Sequence, residues 1–112
     1  MVVEDDPFIA IDLEDTLSAA GFEVDGPYYS AREACRALHD APLPDLVTLD
    51  YRLSDTTSDV VAAMLARARI PFLLVSSEAP DTLARMEGNP PSLTKPFRPA
   101  SLVRRMRELL PA

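Results

Sequence analysis

The chain is short of the residues that build covalent scaffolds and polyanion-binding surfaces. A single cysteine, Cys35, occurs in 112 residues, which excludes an internal disulfide and makes a reducing cytoplasm the expected compartment. Eleven Lys and Arg stand against eighteen Asp and Glu, for a formal net charge of −7. No chain-wide positive field is therefore available to draw in a nucleic-acid backbone. No apolar run approaches bilayer length, and no secretory signal precedes the first apolar segment, so no membrane partner is expected. Internal repeats, low-complexity tracts and interdomain linkers are also missing. At this length one compact domain over residues 1–112 is expected, with no chain left over for a DNA-binding module.

What is present is an alternation of strand and helix signals, which points to α/β architecture around a mainly parallel sheet. Met1-Val2-Val3 is a very short first strand. Pro7 suits the first turn of a helix, with Ile9, Leu13, Thr16, Leu17 and Ala20 at helical spacing before Gly21. Phe22-Glu23-Val24-Asp25 alternates as a half-buried edge strand, closed by Gly26-Pro27. Ser30 and Glu33 form a capping box for a second helix with Ala31, Ala34, Cys35 and Leu38 inward. Leu46-Val47-Thr48-Leu49 reads as a buried central strand. Asp59 is placed to cap a third helix with Val60, Val61, Met64, Leu65 and Ala68 inward. Pro71 to Val75 is a fourth strand. Pro80, Gly88, Pro90 and Pro91 leave space for one short helix at most before Lys95. A last helix runs from about Ala100 to Leu110, with Leu102, Val103, Met106, Leu109 and Leu110 inward and Arg104, Arg105 and Arg107 facing elsewhere.

The ends of four strand segments carry the chemistry: Glu4-Asp5, Asp50, Ser76 and Lys95. In an open parallel sheet, ligands sit beyond the carboxyl ends of the strands, where strand order reverses. Side by side, these segments would bring three carboxylates, a hydroxyl and an ammonium to one place. Such a set can hold a hard cation, take a phosphoryl group on a carboxylate and clamp the transferred oxygens. Each part alone has a plainer explanation, since acidic residues often begin loops and Lys-Pro is a common dipeptide. Their coincidence in order favours function.

With "VVEDD" at 2–6, "LVTLDYRL" at 46–53, "LLVSSE" at 73–78 and "LTKPF" at 93–97, the sequence resembles the receiver domains of bacterial two-component response regulators over essentially its whole length. The resemblance implies a flavodoxin-like, doubly wound, five-stranded parallel sheet of order 2-1-3-4-5, with helices on both faces and the fourth helix short or absent. It implies Asp50 as phosphoacceptor. Glu4, Asp5, Asp50 and the backbone carbonyl of Arg52 would hold Mg2+, with Asp5 ligating directly and Glu4 through water; Asp6 would continue into the loop. Lys95 would pair with phosphoryl oxygens, aimed inward by a cis bond to Pro96, and Ser76 would be the hydroxyl that turns toward them. Arg52 and Glu78 match positions that tune phosphoryl loss to water, and the small Ser77 between these two would leave that water a path. The partners implied are a histidine kinase or histidine phosphotransferase and an unknown downstream protein; a homodimer is compatible with it. Chemistry would be limited to self-phosphorylation and self-dephosphorylation.

Three positions depart from the pattern. Ser92 stands where an aromatic switch residue is usual, the stretch from Ser76 to Lys95 is short and proline-rich, and Ser54 and Ser58 replace the usual proline and glycine. The acceptor site is intact while its customary output route is altered. Phe8 and Ile11 fall off the core stripe of the first helix near the site, where they suit docking of a phosphodonor protein. Cys35 reads as a small core residue, and His39 as a helix-end cation. Competing readings are a pseudo-receiver working by constitutive contacts, an aspartyl-phosphate phosphohydrolase and a flavodoxin-like nucleotide binder. Arg52 occupies the position where such a hydrolase has its second aspartate, and Glu4, Asp5 and Asp6 would repel a nucleotide phosphate.

Overall fold

The computed structural model of the chain describes residues 1–40, 42–86 and 88–111. In chain order the elements are β1 (Val2–Val3), α1 (Pro7–Ala19), α2 (Ala31–His39), β2 (Val47–Leu49), α3 (Asp59–Ala68), β3 (Phe72–Ser76), α4 (Pro80–Ala84), β4 (Ser92–Thr94) and α5 (Pro99–Leu109). The four strands form one parallel sheet in the order β1-β2-β3-β4. Side chains alternate across a strand, and the two faces fill accordingly. Val2, Leu73 and Val75 pack with Leu13 and Leu17 of α1 and Leu102 and Met106 of α5. Val3, Val47, Leu49 and Leu74 pack on the other face with Ala34 and Leu38 of α2, Val61 and Leu65 of α3, and Leu83 and Met86 around α4. The fold is doubly wound and flavodoxin-like, with a fourth helix of five residues.

Four of the five expected strands are present in the expected spatial order. The edge strand anticipated at Phe22–Asp25 is instead an irregular segment lying along β1. It is tied there by Val2 N–H to Asp25 O, Tyr28 N–H to Val2 O and Glu4 N–H to Tyr28 O, each 2.9 Å, and its sole ladder contact is an isolated parallel bridge, Val3 with Tyr28. The cause is local. Pro27 has no N–H for a ladder, and Gly26 sits at φ +111°, outside the extended region. A Cβ at Gly26 would lie 2.8 Å from Val2 O, so only glycine lets the segment approach β1 this closely.

Helix boundaries follow capping chemistry. The Asp6 carboxylate accepts from Phe8 N–H at 2.9 Å and Ile9 N–H at 3.4 Å, so Asp6 caps α1 with Pro7 as its first residue. The Ser30 hydroxyl accepts from Glu33 N–H at 3.0 Å and donates to the Glu33 carboxylate at 3.2 Å. For α3 the cap position is Ser58 rather than Asp59, which is the first helical residue. Its inward stripe is also shifted: Val61, Ala62 and Leu65 are buried, while Val60 and Ala68 are exposed. Cys35 is partly buried against the core and His39, the last residue of α2, is exposed. Among the described residues no helix is long and apolar enough to cross a membrane.

Candidate functional site

Parallel pairing sets the strand ends level at the carboxyl edge of the sheet. Asp50 N–H donates to Val3 O at 3.0 Å and Lys95 N–H donates to Ser76 O at 3.0 Å. The residues just past each strand are therefore brought together. Carboxylate oxygens of Glu4, Asp5 and Asp50 all lie within 4.8 Å of one another. The Lys95 ammonium donates to the Glu4 carboxylate and, at 3.0 Å, to Asp50 Oδ2. Asp50 Oδ1 accepts from its neighbour Tyr51 N–H at 2.7 Å. These groups line one wall of a cleft of about 690 Å³ that also takes in Asp6, Ile9, Asp12, Arg52, Ser76, Ser77 and Glu78. The Lys95–Pro96 peptide is cis.

Burial makes the charges costly. Glu4 is 0% exposed and Asp50 8% exposed, and carboxylates taken from water and set side by side resist ionisation. Burial first, and then the hydrogen bond and like charge of Asp50, push the Glu4 carboxyl up to about 8 despite the nearby ammonium. Lys95 moves in the sense that keeps it charged: burial opposes the charge, and hydrogen bonds to Glu4 and Asp50 outweigh it. Asp5 is more open to solvent than either carboxylate. Three hard oxygen donors beside an open cleft suit a magnesium ion, which needs few protein ligands and keeps several waters.

Ser76, at the end of β3, is 1% exposed. Its hydroxyl oxygen accepts from Glu78 N–H at 3.1 Å, which leaves its proton to donate. Arg52 and Glu78 form an ion pair across the mouth of the cleft, and the Arg52 guanidinium lies 5.8 Å from the Tyr51 ring centre. Ser77 is exposed. Phe8 (79% exposed) and Ile11 (53% exposed) project from α1. Ser92 begins β4, paired with Leu74 and partly buried. Every residue singled out from the sequence for the acceptor chemistry is at this edge.

Two features escaped the sequence reading. Asp6 was assigned to the loop but caps α1, a role signalled by an aspartate directly before a helix-opening proline. Asp55 accepts from Ala31 N–H at 2.8 Å and Arg32 N–H at 3.0 Å, across a sequence separation of more than twenty residues. No local pattern announces a contact of that kind.

Comparison with known proteins agrees with this fold. The Phyllosphere-induced regulator PhyR of Methylorubrum extorquens is 30% identical over 105 residues, covering 91% of this chain and 39% of that protein. The DNA-binding response regulator MtrA of Mycolicibacterium smegmatis is 34% identical over 116 residues, covering 98% of this chain and 49% of that protein. A response regulator receiver protein from Sinorhizobium medicae superimposes with a TM-score of 0.87 at 26% identity, covering 96% of this chain and 90% of that one. The chain belongs to the response-regulator receiver family. No family model matches it. As a receiver domain of two-component signalling it spans less than half the length of either curated relative. In this receiver Asp50, the acidic pair Glu4-Asp5, Ser76 and Lys95 stand together at the carboxyl ends of the strands.

Proposed function

We propose that the chain accepts a phosphoryl group on Asp50 from a histidine kinase or histidine phosphotransferase and passes the signal on through protein contacts in the cytoplasm. The observation that carries this reading is the Lys95 ammonium bonded at once to Glu4 and Asp50. It joins the ends of three separate strands into one cluster of opposite charges.

In the proposed transfer an Asp50 carboxylate oxygen attacks phosphorus in line with the donor imidazole. A P–O bond forms, the P–N bond breaks, and the imidazole nitrogen keeps the electron pair and takes up a proton. Glu4, Asp5, Asp50 and the Arg52 carbonyl would hold Mg2+, which supplies neutralisation of the carboxylates and of the entering anion. Lys95 exchanges its bond to Asp50 for one to a phosphoryl oxygen, acting as a mobile point charge. Ser76 donates its free hydroxyl proton to a second oxygen. The Arg52–Glu78 pair and exposed Ser77 border the path by which water would later remove the group. Phe8 and Ile11 supply an exposed apolar contact for the donor protein, of the kind that marks an interaction surface.

The pseudo-receiver reading has the serine at position 92 in its favour, but it gives no reason for a buried glutamate, aspartate and lysine in one cluster. The two readings separate by intact-mass analysis after incubation with acetyl phosphate. The expected result is one phosphoryl adduct with Mg2+, none with a chelator, and none for Asp50→Asn. No adduct on the wild-type protein with Mg2+ and this or a phosphohistidine donor would support the pseudo-receiver.

A further inference from the structure

The loop after Asp50 is closed on itself. Ser58 N–H donates to Tyr51 O at 2.7 Å, Leu53 N–H donates to Thr56 O at 2.9 Å, and Arg52 and Thr57 form an antiparallel bridge. It therefore moves as a unit carrying Asp50 at one end and the Arg52 carbonyl within it. Besides the core packing of Leu53 and the Arg52–Glu78 ion pair, the loop is hydrogen-bonded to the start of α2. Ser54 N–H donates to Tyr29 O at 3.2 Å, and the two Asp55 oxygens accept from Ala31 N–H at 2.8 Å and Arg32 N–H at 3.0 Å. One residue earlier, Tyr28 O accepts from Glu4 N–H at 2.9 Å. The stretch Tyr28–Arg32 thus grips the acidic pair of β1 with one end and the acceptor loop with the other.

The first N–H groups of a helix have no partner within it. In α2 they are divided: the adjoining cap residue Ser30 takes that of Glu33, and Asp55, from a distant loop, takes the first two. Asp55 is exposed, so packing does not account for its placement. The backbone amides hold its carboxyl below the usual range: the Ala31 N–H has the largest effect, burial opposes it, and the Arg32 N–H adds to the lowering, as expected of a carboxylate gripped by N–H donors.

We infer that Asp55 is a positioning residue for the acceptor site, a clamp that fixes the Asp50 loop at a set distance from Glu4 and Asp5 by fastening it to the N-terminus of α2. The inference rests on the receiver reading of Asp50. Without the clamp the loop keeps one neutral hydrogen bond to this segment, and the Arg52 carbonyl drifts from the carboxylates.

The test compares wild type, Asp55→Ala, Asp55→Asn and Ser30→Ala. Ser30→Ala removes the helix's own cap, with a stability loss of the same kind, and leaves the clamp in place. Magnesium affinity is measured by calorimetry where all four are folded, and amide exchange is followed in the metal-free proteins. Asp55→Ala is expected to weaken magnesium binding about tenfold, the lower end of outer-shell effects, and to speed exchange at residues 51–54. Asp55→Asn, which keeps an acceptor oxygen, should recover part of both. Ser30→Ala should lower the melting temperature and leave magnesium affinity unchanged. Wild-type affinity in Asp55→Ala, or equal weakening in Ser30→Ala, would overturn the clamp. If the wild-type protein takes up no magnesium, the metal reading fails instead. The clamp is then decided by exchange alone, upheld if residues 51–54 speed up in Asp55→Ala only and overturned if they do not.

Discussion

Replacing Lys95 by alanine tests the charge balance of the site. The Lys95 side chain is 11% exposed, that of Glu4 1% and that of Asp50 10%. Removing the ammonium leaves the buried Asp50 carboxylate beside the Glu4 carboxyl without a compensating cation. Cutting one partner from a buried ion pair costs about 3–5 kcal/mol, because the remaining charge stays desolvated. For a domain of this size that corresponds to a fall in melting temperature of roughly 10–20 °C. The distinguishing feature is what magnesium does next. In the wild-type protein an ion entering among Glu4, Asp5 and Asp50 meets the Lys95 charge already there; in Lys95→Ala it meets only carboxylates. Magnesium should therefore bind the variant at least about tenfold more tightly, an extra stabilisation of about 1.4 kcal/mol or more at saturating ion. Urea titrations of both proteins, with chelator and with magnesium, measure the four stabilities needed. Equal stabilisation by magnesium in the two proteins would refute the reasoning, since Lys95 and the ion would then not share a site.

Glu4 provides a pH signature. Its carboxyl is pushed up to about 8 in the folded protein from the usual 4.5, so its contribution to stability is fully present below about 4.5 and is lost as pH rises toward 8. Lys95 is shifted up from 10.5, so its own contribution stays constant through that window. Glu4→Gln should thus match wild type in acid and become the more stable metal-free protein as pH rises; a stability difference that does not change with pH contradicts this. Gly26→Ala should cost about 1–3 kcal/mol in chemical denaturation from backbone strain, with the collision against Val2 O adding to it, whereas a neutral effect would mean residues 25–28 do not hug β1. Phe8→Ala or Ile11→Asp should slow phosphoryl transfer from a phosphohistidine protein and leave acetyl phosphate labelling unchanged. Equal loss with both donors would remove these side chains from docking.

The order of elements was legible because short strand-like segments ending in Asp50, Ser76 and Lys95 alternate with helical stripes, and parallel pairing then forces those ends together. Burial classes followed wherever the periodicity was long, as in Leu13 and Leu17 or Leu102 and Met106. The phase of α3 was not, because Val60 is as apolar as Val61 and only the entry angle set at Ser58 decides which of them faces the sheet. The edge segment failed as a strand because Phe22–Asp25 has the right alternation but is followed by a residue at positive φ and one without an N–H. Asp55 was invisible for a different reason. Its partners belong to another helix, and an exposed aspartate in a Ser/Thr-rich loop looks the same with or without them.

The most direct test of the account is to locate the modified side chain. After labelling with acetyl phosphate and magnesium, borohydride reduction converts an aspartyl phosphate to homoserine, which peptide mass spectrometry places in the sequence. The account requires homoserine at Asp50, absent from unlabelled protein. Homoserine at Asp5, Asp6 or any other aspartate while Asp50 stays unmodified would contradict it.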